Sequence, residues 1–154
     1  MKYFAYGSNM DPERMSERSV SFSQRTHAIL KGYRLDFNKV ASRNPQEGYA
    51  NVVKFENGIV EGVLYEILDS DLSKLDAHEG YPDHYDRVKV KVNLNDGQEV
   101  EAVAYIAQPN KVRDGLKPSR DYLDHLLAAK DLLSEAYRRK LEALQPLDEW
   151  VNRP

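Results

Sequence analysis

Two places in this 154-residue chain offer side chains that could do chemistry: the carboxylate of Glu79 and the small polar corner Gly7-Ser8-Asn9. In Ser70-Asp71-Leu72-Ser73-Lys74-Leu75-Asp76-Ala77-His78-Glu79-Gly80, Ser70 predicts a helix N-cap. The helix is expected to run to about His78, with Gly80 and then Pro82 ending it. Leu68, Leu72 and Leu75 mark its apolar stripe, and Glu79 falls on the next stripe position, whereas Asp71, Lys74 and Asp76 fall elsewhere. Burial there disfavours the charged carboxylate, and so does the negative end of the helix dipole. A carboxyl with a raised pKa suits a general base that later returns the proton as an acid. In the plainer alternative the helix frays at His78 and Glu79 points to water. The pattern alone leaves both open.

The corner follows Lys2-Tyr3-Phe4-Ala5-Tyr6, whose run Tyr3 to Tyr6 is apolar on both faces and predicts a buried central strand. Gly7-Ser8-Asn9 then reads either as a turn or as a set of backbone amides aimed at an oxygen, with Gly7 letting the backbone approach closely. After Glu79, the link Gly80-Tyr81-Pro82-Asp83-His84-Tyr85-Asp86-Arg87 is rich in rings, and Tyr85 and Arg87 would share one strand face. His78, Asp83, His84 and Asp86 have no spacing that matches a known ligand motif, so no metal is expected. Ser8 lacks the G-x-S-x-G elbow of a hydrolase, and neither G-x-G-x-x-G nor G-K-[ST] occurs. With no cysteine, disulfides and thiol nucleophiles are excluded.

The positioning elements can be read in turn. Asp11-Pro12-Glu13 predicts the start of a short helix: a capping carboxylate, proline at the first position, acid in the first turn. His27 to Phe37 predicts a strand broken around Gly32, and Asn44 to Gly48 a loop. Tyr49 to Phe55 and Ile59 to Ile67 predict two strands joined as a hairpin at Asn57-Gly58. Val88 to Val92 alternates, and Asp96-Gly97 turns it into a second hairpin strand, Val100 to Ala107. Pro118-Ser119 predicts a long helix striped by Tyr122, Leu123, Leu126, Leu127 and Leu133. Ser134 predicts the cap of a last helix carrying Tyr137, Leu141 and Leu144; the tail around Trp150 is undecided. Tyr33, Tyr65 and Tyr105 read as core.

Together these give an α+β chain, a single domain over 1–154, with a mixed sheet of about five to six strands and helices inserted between them; that strand count is compatible with closure into a small barrel. At 41% hydrophobic residues and a net charge of −3 with interspersed signs, the chain is globular and offers no nucleic-acid surface. No run reaches the ~20 apolar residues of a membrane helix, and no signal peptide is evident, so a cytoplasmic protein is expected. A homodimer is left open. The charged stretch from Lys111 to Lys140 reads as solvated helix faces rather than a docking surface.

Tyr3-Phe4-Ala5-Tyr6-Gly7-Ser8-Asn9-Met10, Gly32-Tyr33-Arg34-Leu35-Asp36-Phe37, Leu75-Asp76-Ala77-His78-Glu79-Gly80 and Pro118-Ser119-Arg120-Asp121-Tyr122 together resemble the γ-glutamylcyclotransferase family (AIG2-like superfamily) in order and spacing. The segment Tyr81-Pro82-Asp83-His84 is closer to that of microbial and plant members than to the animal enzymes. The resemblance implies a barrel with a central cavity and an enzyme that cleaves γ-glutamyl amino compounds to 5-oxoproline and a free amine without a cofactor. It implies Glu79 as catalytic acid/base, Tyr3, Phe4, Ala5, Tyr6, Gly7, Ser8 and Asn9 as substrate-binding residues, and Tyr122 as a pocket residue. The competing expectation is a module of the same fold that binds a small molecule without turnover.

Overall fold

A computed structural model of the chain describes residues 1–147. Trp150 lies outside them. Five strands close into a barrel in the order β1-β3-β2-β4-β5: β1 Lys2–Ala5, β2 Phe22–Ala41, β3 Asn44–Ile67, β4 Tyr85–Leu94 and β5 Glu99–Ala107. Neighbours are antiparallel except where β1 meets β5, in a parallel bridge at Tyr3 and Val103 that seals the sheet. Four α-helices surround it: α1 Pro12–Glu17, α2 Leu72–Glu79, α3 Arg120–Leu127 and α4 Glu135–Glu142. Closure leaves few edges to protect and encloses a core built on Phe4, Met10, Val63, Tyr65, Leu75 and Leu123. Among the described residues no helix is long and apolar enough to cross a membrane.

Helix capping follows local chemistry. Asp11 accepts the Glu13 N–H at 3.0 Å, with Pro12 at the first helical position. Ser119 and Ser134 accept the N–H of Tyr122 and Tyr137 at 3.0 and 3.2 Å. Ser70 does not cap α2; it lies in a 3-10 turn, Asp69–Asp71, that leads into the helix. Leu68 is exposed because it precedes that turn, so the buried stripe of α2 rests on Leu75. The expected long helix from Ser119 ends at Leu127, its last carbonyls taken up by tighter turns through Lys130, and Leu133 packs from beyond it.

The Asn57-Gly58 hairpin does not form. β3 runs straight through: Ile59–Ile67 and Lys54–Asn44 both pair with β2. Asn57 takes its positive φ of 65° within a wide bulge, where the residues between Lys54 and Ile59 oppose only Gly32. Gly32, at φ 83°, therefore bends β2 rather than breaking it. Asn44 to Gly48 is likewise strand: β3 starts at Asn44 directly after a two-residue turn. The long β2–β3 ribbon carries Lys39, Tyr49 and Ala50 to the mouth of the barrel.

Candidate active site

A cavity of about 240 Å³ opens beside the end of β1, of the size that takes a small metabolite. Its walls come from four parts of the chain: β1 with the 3-10 turn Ser8–Met10, the C-terminus of α2, the β2–β3 ribbon and α3. Tyr3, Phe4, Tyr6, Gly7, Ser8, Asn9, Glu79 and Tyr122 line it. Ala5 is buried but does not reach the cavity; its carbonyl packs against the Gly62 backbone.

Glu79 is the last residue of α2. Gly80 ends the helix in the left-handed conformation, φ 68°, which glycine adopts without a Cβ penalty. The Tyr81 N–H then bonds the Asp76 carbonyl at 3.0 Å and the His84 N–H bonds the Gly80 carbonyl at 2.8 Å. This doubling-back brings His84 and Tyr85 to the wall beside Glu79. The Glu79 side chain is 18% exposed. Its Oε1 accepts from Asn9 Nδ2 at 3.1 Å, and Arg18 Nη1 stands 3.9 Å away. Burial pushes the carboxyl pKa up; Arg18, Arg14 and Lys39 pull it back. Glu79 faces the cavity, not bulk water, so the fraying alternative is excluded.

Asn9 ties the corner to the acid. Its amide donates to Tyr3 Oη at 2.9 Å as well as to Glu79, its Oδ1 accepts from Arg18 at 2.8 Å, and its carbonyl accepts from Tyr65 Oη at 2.7 Å. Gly7 has an ordinary negative φ, so its need for glycine is steric. A Cβ there would stand 2.9 Å from Tyr122 Oη and 3.1 Å from Ala50 Cβ. Ser119, by capping α3, sets Tyr122 at that point, where its ring stacks on Tyr49 with centroids 5.1 Å apart. Tyr122 Oη accepts the Ala50 N–H at 2.9 Å and is further stabilised by the Ser8 backbone. Tyr85 Oη donates to the Ala50 carbonyl at 2.9 Å. Burial holds the hydroxyls of Tyr3, Tyr6, Tyr85 and Tyr122 well above the ordinary phenol range, so they serve as neutral donors.

Arg34, Arg43 and Arg87 do not line the cavity. Arg34 pairs with Asp36, Arg43 with Glu47 and Arg87 with Asp76. Arg87 also stacks on Tyr81 at 4.5 Å, and Asp76 accepts from Tyr105 Oη at 2.7 Å. The cavity instead holds Arg14 of α1, Arg18 at the C-cap of that helix, and Lys39 of β2. Arg14 is held by His125, whose other ring nitrogen bonds Asp11 at 2.8 Å. Their spacing of four on α1 puts both arginines on one helix face, the one available signal in the sequence. Tyr105, expected only as core, also reaches the cavity wall. Asp83 and Asp86 are exposed and His84 contacts Lys39, so the His/Asp run does not converge.

A family model described as "Gamma-glutamyl cyclotransferase, AIG2-like" matches residues 3–124. The chain belongs to this family. Human γ-glutamylcyclotransferase is 30% identical over 152 residues, covering 95% of this chain and 79% of that protein. A solved structure of a γ-glutamyl cyclotransferase superposes with a TM-score of 0.83 at 30% identity, covering 96% of this chain and 89% of that one. YkqA from Bacillus subtilis gives 0.80 at 28% identity, with 95% and 55% covered. The γ-glutamyl cyclotransferase match spans β1, α2 and the start of α3, the three elements that carry the corner, Glu79 and Tyr122.

Proposed function

We propose that this chain is an enzyme that closes the ring of a γ-glutamyl amino compound, releasing 5-oxoproline and a free amine. The observation that carries the reading is a shielded carboxylate, Glu79, hydrogen-bonded at 3.1 Å by Asn9 of the corner on the wall of a small cavity. In a γ-glutamyl compound the nucleophile and the carbonyl belong to one molecule, so binding it folded back supplies proximity. The α-ammonium gives a proton to Glu79, and the freed amine attacks the γ-carbonyl. The new C–N bond closes the five-membered ring, the departing nitrogen takes that proton from Glu79 as the original amide C–N bond breaks, and the ring nitrogen then passes its surplus proton by way of Glu79 to the freed amine, which leaves as an ammonium. Protons balance, and no electrons are exchanged with an outside group.

The carbonyl oxygen turns negative as the ring closes. The 3-10 turn leaves the Asn9 N–H without a partner inside the turn, which suits it to hold that oxygen, next to the Ser8 N–H that bonds Tyr122 Oη. Tyr122, already accepting from Ala50, has its own hydroxyl proton to donate into the same region. Arg18 and Arg14 suit the α-carboxylate, which sits one carbon from the α-amine that Glu79 must reach. A cysteine-free protein without a thiol or disulfide in its chemistry fits a cytoplasmic location.

The test is incubation with a panel of γ-glutamyl amino acids and γ-glutamylamines, reading 5-oxoproline by mass spectrometry. Product is expected, and none from N-acetylated substrates, whose blocked amine cannot attack. Binding without product from any member of the panel would replace this reading with a non-catalytic binding module.

A further inference from the structure

Lys39 is a buried cation, only 3% exposed, that forms no ion pair with a carboxylate among the described residues. Its Nζ donates to the Val40 carbonyl at 2.8 Å and contacts His84 Nδ1 at 2.9 Å. Its Nζ stands over the rings of Tyr49 and Tyr85, 5.7 Å from each centroid. An ammonium has three donors, so one is left over, and Lys39 lines the cavity. A desolvated charge with a spare donor is costly to maintain unless something occupies the site. The contrast with Arg34, Arg43 and Arg87, each neutralised by its own acid, marks Lys39 as built for an anion from outside.

The cavity already has cations for the glutamyl half, Arg18 standing 3.9 Å from Glu79 Oε1. Lys39 comes from a separate element, β2, where its ammonium lies against the Tyr49 and Tyr85 rings. Resting on the function proposed above, we infer that Lys39 is a specificity-determining residue that holds the carboxylate of the departing amino acid. The preferred substrate then carries a carboxylate on each side of the scissile amide. His84 orients the ammonium by accepting from it through Nδ1, and the two tyrosine rings hold it by cation–π attraction while admitting no rival acid.

The probes are γ-glutamylalanine and γ-glutamylethylamide, which differ only by the carboxylate of the leaving group. In the Lys39→Met chain, kcat/KM for γ-glutamylalanine should fall about 10- to 100-fold, mainly through KM. The loss on γ-glutamylethylamide, which carries only the shared effect of the Lys39 charge on Glu79, should be at least about tenfold smaller, so the preference between the two substrates collapses. Equal losses on both would assign Lys39 to the shared glutamyl half and overturn the inference, as would no loss on either. The same two ligands are titrated calorimetrically into Glu79→Gln protein with and without Lys39→Met. If the native chain makes no 5-oxoproline, the proposed function fails, and the calorimetric preference for the carboxylate ligand still decides the role of Lys39. Lys39→Gln provides a second variant, and the affinity ratio in the Lys39-containing protein must itself favour γ-glutamylalanine.

Discussion

Replacing Asn9 by leucine keeps the branched heavy-atom outline of a residue that is 3% exposed and removes its amide. Glu79 Oε1 then loses a donor at 3.1 Å, and Arg18 loses its 2.8 Å tether to Asn9 Oδ1. Both changes act on the ionised carboxylate. A hydrogen bond to a charged group contributes about 1.5–3 kcal/mol, and one pKa unit corresponds to about 1.4 kcal/mol, so the Glu79 carboxyl should rise by roughly one to two units. Burial already holds it above the ordinary value, so the two displacements add in the same direction. In the proposed mechanism Glu79 is ionised when it takes the amine's proton, so the acidic limb of the kcat/KM profile reports its pKa in the free protein. That limb should move to higher pH by the same one to two units. An unmoved limb, or one moved to lower pH, would refute the coupling between the corner and the acid. The unfolding midpoint must be followed alongside, since the Tyr3 hydroxyl also loses its Asn9 partner.

Tyr122→Phe should cost about 1–3 kcal/mol of stability in a denaturant titration, because the Ala50 N–H is left buried without its acceptor. It should also lower kcat more than it raises KM, if the hydroxyl acts on the transition state. Glu79→Gln should gain stability relative to the native chain as pH rises. The folded carboxyl has a pKa raised above 4.5, so the folded state holds the proton more tightly than the unfolded one. The native chain therefore loses stability across the window from about 4.5 to the raised value, whereas the glutamine chain does not. Thermal unfolding of both from pH 3.5 to 8 should show curves that converge at the acid end, and curves that stay parallel throughout would contradict the burial argument.

Much of this site could be read from residue types and spacing, and the failures have physical causes. The apolar run before Gly7, the Asp11, Ser119 and Ser134 caps and the Gly80 stop depend on chemistry within a few residues, and each appears where local rules put it. Glu79 reaches the cavity although Leu68, one of the three residues used to define its stripe, is exposed; Leu75 and the end of the helix suffice. Asn57-Gly58 misled because positive φ serves a bulge as well as a hairpin, and only long-range pairing with β2 decides between them. Lys39, Arg14 and Arg18 were not legible as site residues. A charged side chain on a strand or short helix normally points to solvent, and only the closure of the barrel turns these three inward.

The mechanism stands or falls on the proton that Glu79 moves. The direct measurement is 5-oxoproline released from a γ-glutamyl substrate by the native chain and by Glu79→Gln at equal concentration, with ligand affinity measured on both. The mechanism requires turnover in the native chain and a loss of about 10²- to 10⁴-fold in the variant, with affinity retained and the unfolding midpoint no lower than that of the native chain. A glutamine variant that releases 5-oxoproline at the native rate would contradict it.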